Sequence, residues 1–150
     1  MRAVIQRVSQ ASVSIDEKKV ASINEGLLVF LGIEIQDTKE DSEWLANKIS
    51  QLRIFSDEEG KMNKSVTEVD GEVVVVSQFT LHAKTKKGTR PSYIKAARPE
   101  QAIPLYNQFK KDLSDVTGKE VQSGEFAAYM KVSLTNDGPV TIIIDTKNKE

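Results

Sequence analysis

The chain has 150 residues, 39% hydrophobic and 29% charged, which suits one globular domain over residues 1–150 able to bury about 70% of the surface its unfolded form exposes. A net charge of −1 gives no overall pull toward nucleic acid or anionic membranes, so any such attraction has to be local. The absence of cysteine excludes thiol catalysis, cysteine-based zinc sites and disulfides, and the longest apolar run, LLVFLGI, is far too short to span a bilayer.

From the N-terminus, MRAVIQRVSQ carries Arg2 and Arg7 inside an apolar pattern and lacks the uninterrupted apolar core of a signal peptide, so a cytoplasmic protein is expected. Alternation in AVIQRVS and ASVSI, then polar DEKK and VASI, predicts strands joined by hairpins; Leu27–Ile33 is apolar enough for a fully buried strand. Thr38 is placed to cap a helix with Glu40 and Asp41 in its first turn and a buried stripe of Trp44, Leu45, Ile49 and Leu52, ending near Arg53. A short RIF strand, the turn SDEEGKMN and a second turn at VDGE lead into VVVVSQFTL, Val73–Leu81.

That segment begins as a strand without a polar face and ends in Ser77, Gln78 and Thr80, groups that cost roughly 1–3 kcal/mol each if buried unpaired. From His82 to Pro99 the chain is basic and free of acids, and reads as a loop with a short helix. A helix starting near Pro99 carries Ile103, Leu105, Tyr106, Phe109 and Leu113, with Pro104 a threat unless it lies near the start, and Gly118 closes the region. A strand from about Met130 to Leu134, the turn TNDGP and a final strand Val140–Ile144 complete an α+β pattern.

The candidate chemistry is sparse. A nucleophilic Thr80 or Ser77 needs a base, and the only histidine, His82, sits two residues from Thr80, roughly 6–7 Å along a strand and out of direct hydrogen-bonding reach; a surface histidine at a strand end is the plainer reading. Free backbone N–H groups at the end of this strand can instead face a developing oxyanion, or the polar side chains can simply tie the strand end to its neighbours. Gly138-Pro139 is either part of a plain hairpin or a rigid turn presenting carbonyls to a ligand. The basic stretch containing Lys84, Lys86, Lys87, Arg90, Lys95 and Arg98 is either a solvated loop or a polyanion site beside the polar strand end. Metal-ligand spacings and phosphate loops are missing, and no cofactor is expected.

Taken in order over essentially the whole chain, MRAVIQRVSQASV, LRIFSDEEGKMN, VVVVSQFTL, KGTRPSY and SLTNDGPVT closely resemble the D-aminoacyl-tRNA deacylases, also called D-tyrosyl-tRNA deacylases. SQFTL and GPVT together form the specific signature. The resemblance implies an α+β subunit with a mainly antiparallel, barrel-like sheet and a few packed helices, paired as a homodimer in which GPVT of one subunit meets SQFTL of the other. It also implies hydrolysis of the ester joining a D-amino acid, or mischarged glycine, to the terminal adenosine of tRNA.

On that resemblance Ser77, Gln78, Phe79 and Thr80 are the catalytic floor, and Gly138 and Pro139, joined by a cis bond and followed by Val140 and Thr141, hold the substrate's amino group. Arg7 braces that turn, Met130 lines the pocket, and Lys84, Lys86, Lys87 and Arg90 meet the tRNA. Water attack assisted by the 2′-hydroxyl of the tRNA is the expected chemistry, with a Thr80 nucleophile as the alternative. Two residues depart from the family pattern: His82 stands where Tyr is commoner and Ala127 where Gly is. The rivals are a non-catalytic RNA-binding module using the basic loop, and a small-molecule amidohydrolase built on Thr80.

Overall fold

The computed structural model describes all residues from Met1 to Glu150. The two N-terminal patterns form one long strand rather than two, β1 (Arg2–Ile15), followed by β2 (Lys18–Ile23) and β3 (Gly26–Gly32). The first half of β1 pairs antiparallel with β3, from Arg2↔Gly32 to Val8↔Gly26, and its second half pairs with β2, from Ala11↔Ile23 to Ile15↔Lys18.

The helix α1 (Lys39–Gln51) starts at Thr38, whose amide donates to the Asp41 carboxylate at 2.9 Å, and Leu45 and Ile49 are fully buried. Two short strands, β4 (Phe55–Ser56) and β5 (Met62–Lys64), frame the SDEEGKMN turn. Next comes β6 (Glu72–Ser77), then a 3-10 turn over Phe79–His82, α2 (Pro99–Thr117) and β7 (Gln122–Ser123). No helix forms between Ala83 and Arg98; that loop is closed instead by reciprocal backbone hydrogen bonds between Lys84 and Ser92 at 2.8 and 3.0 Å. The helix α2 runs through Pro104 and ends with Gly118 in the left-handed conformation at φ 74°. Burial of Tyr106, Phe109 and Leu113, about 1.5–3 kcal/mol for each such side chain, offsets the roughly 3 kcal/mol that a helical proline costs.

The sheet is mixed, which corrects the expectation of a mainly antiparallel one: β6 lies parallel to β3, and β7 parallel to β6. The reason is connectivity, because β3 reaches β6 through α1, and β6 reaches β7 through α2, and such crossovers return a strand in the same direction. Val73 and Val75 face a core formed with α1 and α2, whereas Val74 and Val76 face a second cluster with Val8, Val13 and Ile23. The valine run lacks a polar face because both of its faces are covered.

The last strand, β8 (Lys131–Asp145), also replaces the expected strand, turn and strand. It pairs with β1 from end to end, from Ser14↔Lys131 to Arg2↔Asp145, with the ladder interrupted between Asn136 and Thr141. Arg2–Gln6 already pair with β3 on one edge, so β8 occupies the other and forms the margin of the sheet. TNDGP is therefore no hairpin turn. Gln6 pairs with Thr141 and Val8 with Asn136, so Asp137–Val140 are pushed out of the ladder opposite Arg7 alone.

Candidate active site

The end of β6 and the segment before β8 enclose a cleft of about 250 Å³. Ser77, Gln78 and Phe79 line one side, with Phe126, Ala128 and Met130 facing it, over a largely apolar wall. The backbone first continues the ladder, Gln78 N donating to Leu31 O at 2.8 Å, and then tightens into the 3-10 turn. The first two amides of that turn, those of Phe79 and Thr80, have no acceptor within it, so they are the free donors at this strand end.

Thr80 does not line the cleft. Its hydroxyl accepts a hydrogen bond from Gln78 Nε2 at 2.6 Å, which fixes both side chains and answers why a buried strand ends in polar residues. His82, expected at the surface, is 4% exposed, and its Nε2 has no hydrogen-bond partner. It packs beside Gly32 and forms no dyad with Thr80. Burial pushes the Tyr106 phenol up to about 12, and its hydroxyl donates to Val75 O at 3.2 Å, so it stays neutral at ordinary pH.

Ala127, in a position where the family pattern favours glycine, has φ +62°, the left-handed region, and its amide faces Ser77 Oγ at 3.5 Å. Ala127→Gly is therefore expected to leave the melting temperature unchanged or raise it slightly, while β-branched Ala127→Val lowers it, as thermal unfolding would show.

The second group of residues surrounds the bulge. Arg7 Nε donates to Asp137 O at 3.0 Å and lies 3.5 Å from the Asp137 carboxylate, while Arg7 Nη1 donates to Ile54 O at 2.7 Å. Asn136 Nδ2 donates to both Arg7 O at 3.0 Å and Val140 O at 2.9 Å, closing the base of the bulge. The bond between Gly138 and Pro139 is cis, and Gly138 has φ +134°. Asn136 read in the sequence only as a turn residue; its role needs the two strands to be seen together.

These two groups do not meet within the chain. Ser77 is level with Leu31 and Ala3, and the bulge is level with Arg7, on the far side of β1. That separates them by about 13 Å along the strands and about 14 Å across three strand spacings. None of Gly138, Pro139, Val140 and Thr141 lines the cleft, whereas Met130 does. Lys84, Lys86, Lys87 and Arg90 are exposed on the loop that follows the 3-10 turn, and no ion pair holds any of them.

A family model described as D-Tyr-tRNA(Tyr) deacylase matches residues 4–145. The chain belongs to that family. It is accordingly an enzyme, a hydrolase of the deacylase class. A D-aminoacyl-tRNA deacylase of Bacteroides fragilis is 64% identical over 150 residues, covering 100% of both chains. A solved structure named as the c-Myc DNA unwinding element binding protein is 41% identical, with a TM-score of 0.91 over 97% of this chain and 98% of that one. A probable eukaryotic D-amino acid tRNA deacylase shares the fold at 17% identity, with a TM-score of 0.81 over 95% of this deacylase and 97% of its own chain. No helix of the enzyme is long and apolar enough to cross a membrane.

Proposed function

We propose that the enzyme hydrolyses the ester between a D-amino acid and the terminal adenosine of tRNA, and likewise releases glycine from mischarged tRNA, in a site completed by a second copy of the chain. The observation that carries this reading is the Asp137–Val140 bulge: held by Arg7 and Asn136, displaced from the ladder, and far from the chain's own cleft. Its strand, β8, forms the margin of the sheet for 15 residues, with Leu134 and Ile143 exposed, the latter at 68%. Such an edge calls for a partner. A homodimer that covers β8 brings the bulge of one subunit over the cleft of the other.

In that arrangement the Phe79 and Thr80 amides receive the ester carbonyl oxygen as it gains negative charge, and the Gly138 and Pro139 carbonyls hold the substrate's amino group, flanked by Val140 and Thr141. With amino group and carbonyl both fixed, chirality alone decides where the third substituent goes. A D-side chain leaves the pocket, an L-side chain meets the Gly-Pro wall, and glycine has nothing to be rejected by. Water, assisted by the 2′-hydroxyl of the terminal adenosine, attacks the carbonyl carbon. The tetrahedral intermediate collapses with the 3′-oxygen leaving and taking up a proton, which yields free amino acid and tRNA. No side-chain base stands ready for a nucleophilic Thr80, since its hydroxyl is engaged by Gln78 and His82 is turned into the core. Proofreading of charged tRNA places this work in the cytoplasm with translation.

Matched D- and L-aminoacyl-tRNA and glycyl-tRNA, followed for ester loss, test the reading: hydrolysis of the D and glycyl esters with the L ester spared is expected, and equal D and L rates would sink it. The same assay separates the enzyme from a module that only binds nucleic acid. Thr80→Ala is expected to retain activity within roughly two- to tenfold, the cost of one hydrogen bond. An acyl-enzyme trapped at Thr80 would restore the nucleophile instead. Replacing Lys86, Lys87 and Arg90 together by uncharged residues is expected to weaken tRNA binding and flatten its salt dependence by roughly 0.7–0.9 in slope per lost phosphate contact, with the rate on saturating substrate changed less. An unchanged slope would assign these residues to a merely solvated loop.

A further inference from the structure

The cleft does not stop at Phe79. The ring of Phe79 is 55% exposed and meets Tyr93 edge to face, centroids 5.0 Å apart. Beyond it opens a groove of about 600 Å³ that shares Phe79, Ala97, Phe126 and Ala127 with the cleft and is lined further by Ile35, Tyr93, Ile94 and Arg98. Ile94 is 69% exposed and Tyr93 37%, so this is a large apolar and aromatic surface open to solvent.

It is also held in place. Lys84 and Ser92 bond reciprocally and close the loop just before Tyr93, while Ile35 N donates to Lys95 O at 3.0 Å and Ala97 N donates to Ile33 O at 2.9 Å, which fastens the residues just after Ile94 to the body of the protein. The stretch from His82 to Pro99 contains no acidic residue, and neither Lys95 nor Arg98 is held in an ion pair. An apolar partner alone would have no use for that charge. A stacked base with its phosphate uses both.

We propose that Tyr93, Ile94 and the outer edge of Phe79 form a stacking platform for the base of the nucleotide that precedes the esterified adenosine, with Arg98 facing its phosphate. The assignment rests on the deacylase reading for the orientation of the strand: the terminal adenosine occupies the cleft, so the continuous groove receives its neighbour. Stacking on an aromatic face tolerates any base, which suits an enzyme that must accept many tRNAs through their unpaired ends. The platform makes the unpaired end, and not only the terminal nucleoside, part of what is recognised.

The test uses ligands without an ester: the uncharged trinucleotide CCA and adenosine 5′-monophosphate, titrated calorimetrically into the wild type, Tyr93→Ala, Tyr93→Phe and Ile94→Ser. The wild type is expected to bind the trinucleotide more tightly than the mononucleotide. Tyr93→Ala should lower trinucleotide affinity by about tenfold and Ile94→Ser several-fold, Tyr93→Phe should keep it, and mononucleotide affinity should hold throughout. A trinucleotide bound no better than the mononucleotide, an unchanged trinucleotide affinity in Tyr93→Ala, or an equal loss for both ligands would overturn the platform. Because neither ligand can be hydrolysed, this outcome is separate from the D-versus-L assay, and either reading can fail without the other.

Discussion

Gly138→Ala is expected to lower hydrolysis of D-aminoacyl-tRNA by about a hundredfold or more in a protein that still folds, because a displacement of about 1 Å in a positioning wall costs about that much. A methyl group on Gly138 would lie 2.8 Å from Val140 Cγ2, 3.0 Å from Val140 N and 3.1 Å from the Arg7 guanidinium. The residue also holds φ +134°, a region that side-chain-bearing residues rarely adopt. The bulge must therefore move, and with it the wall proposed to exclude L-residues, while β8 above and below remains paired with β1. Rates on D- and L-esters, measured beside a thermal melt, check this. A folded variant with normal D-specific turnover would remove Gly138 from the site.

Mixing two inactive proteins should restore activity. One carries Gly138→Ala; the other carries Ala128→Trp, which fills the cleft from a loop position rather than from the core. If the bulge serves the partner's cleft, each mixed dimer contains one pairing of an intact bulge with an intact cleft, and random exchange of subunits returns about a quarter of the wild-type activity. If each bulge served its own chain's cleft, every pairing would contain a defect and nothing would return. Confirmed exchange without recovered activity thus defeats the cross-subunit site, whatever the substrate.

Much of this molecule is legible along the chain wherever the deciding contact is local. Thr38 with Asp41 three residues on, and Gly118 after a helical stripe, mark helix ends through bonds made within a turn or two. The apolar alternation before Ile15 shows strand, and SQFTL with GPVT points to the family. Positions set by distant partners were not readable. His82 has a surface histidine's neighbours in sequence, yet its ring is buried beside Gly32, fifty residues earlier. Thr80 belongs to the signature segment, but Gln78 draws its hydroxyl away from the cleft.

By itself, then, the sequence determined most of the strands and both long helices, their caps, the absence of thiol chemistry, and the two segments that point to the family, since each depends on side-chain chemistry and short-range periodicity. Tertiary structure alone decided that β6 runs parallel to β3, that TNDGP is a bulge on a continuous edge strand rather than a turn between two strands, and that this bulge is displaced from its own cleft. The physical reason is that strand direction, register and edge position are properties of pairs. Nothing in GPVT says whether its neighbour across the ladder is Arg7, and only that neighbour, with Asn136 bonding to it, turns a loop sequence into a held wall.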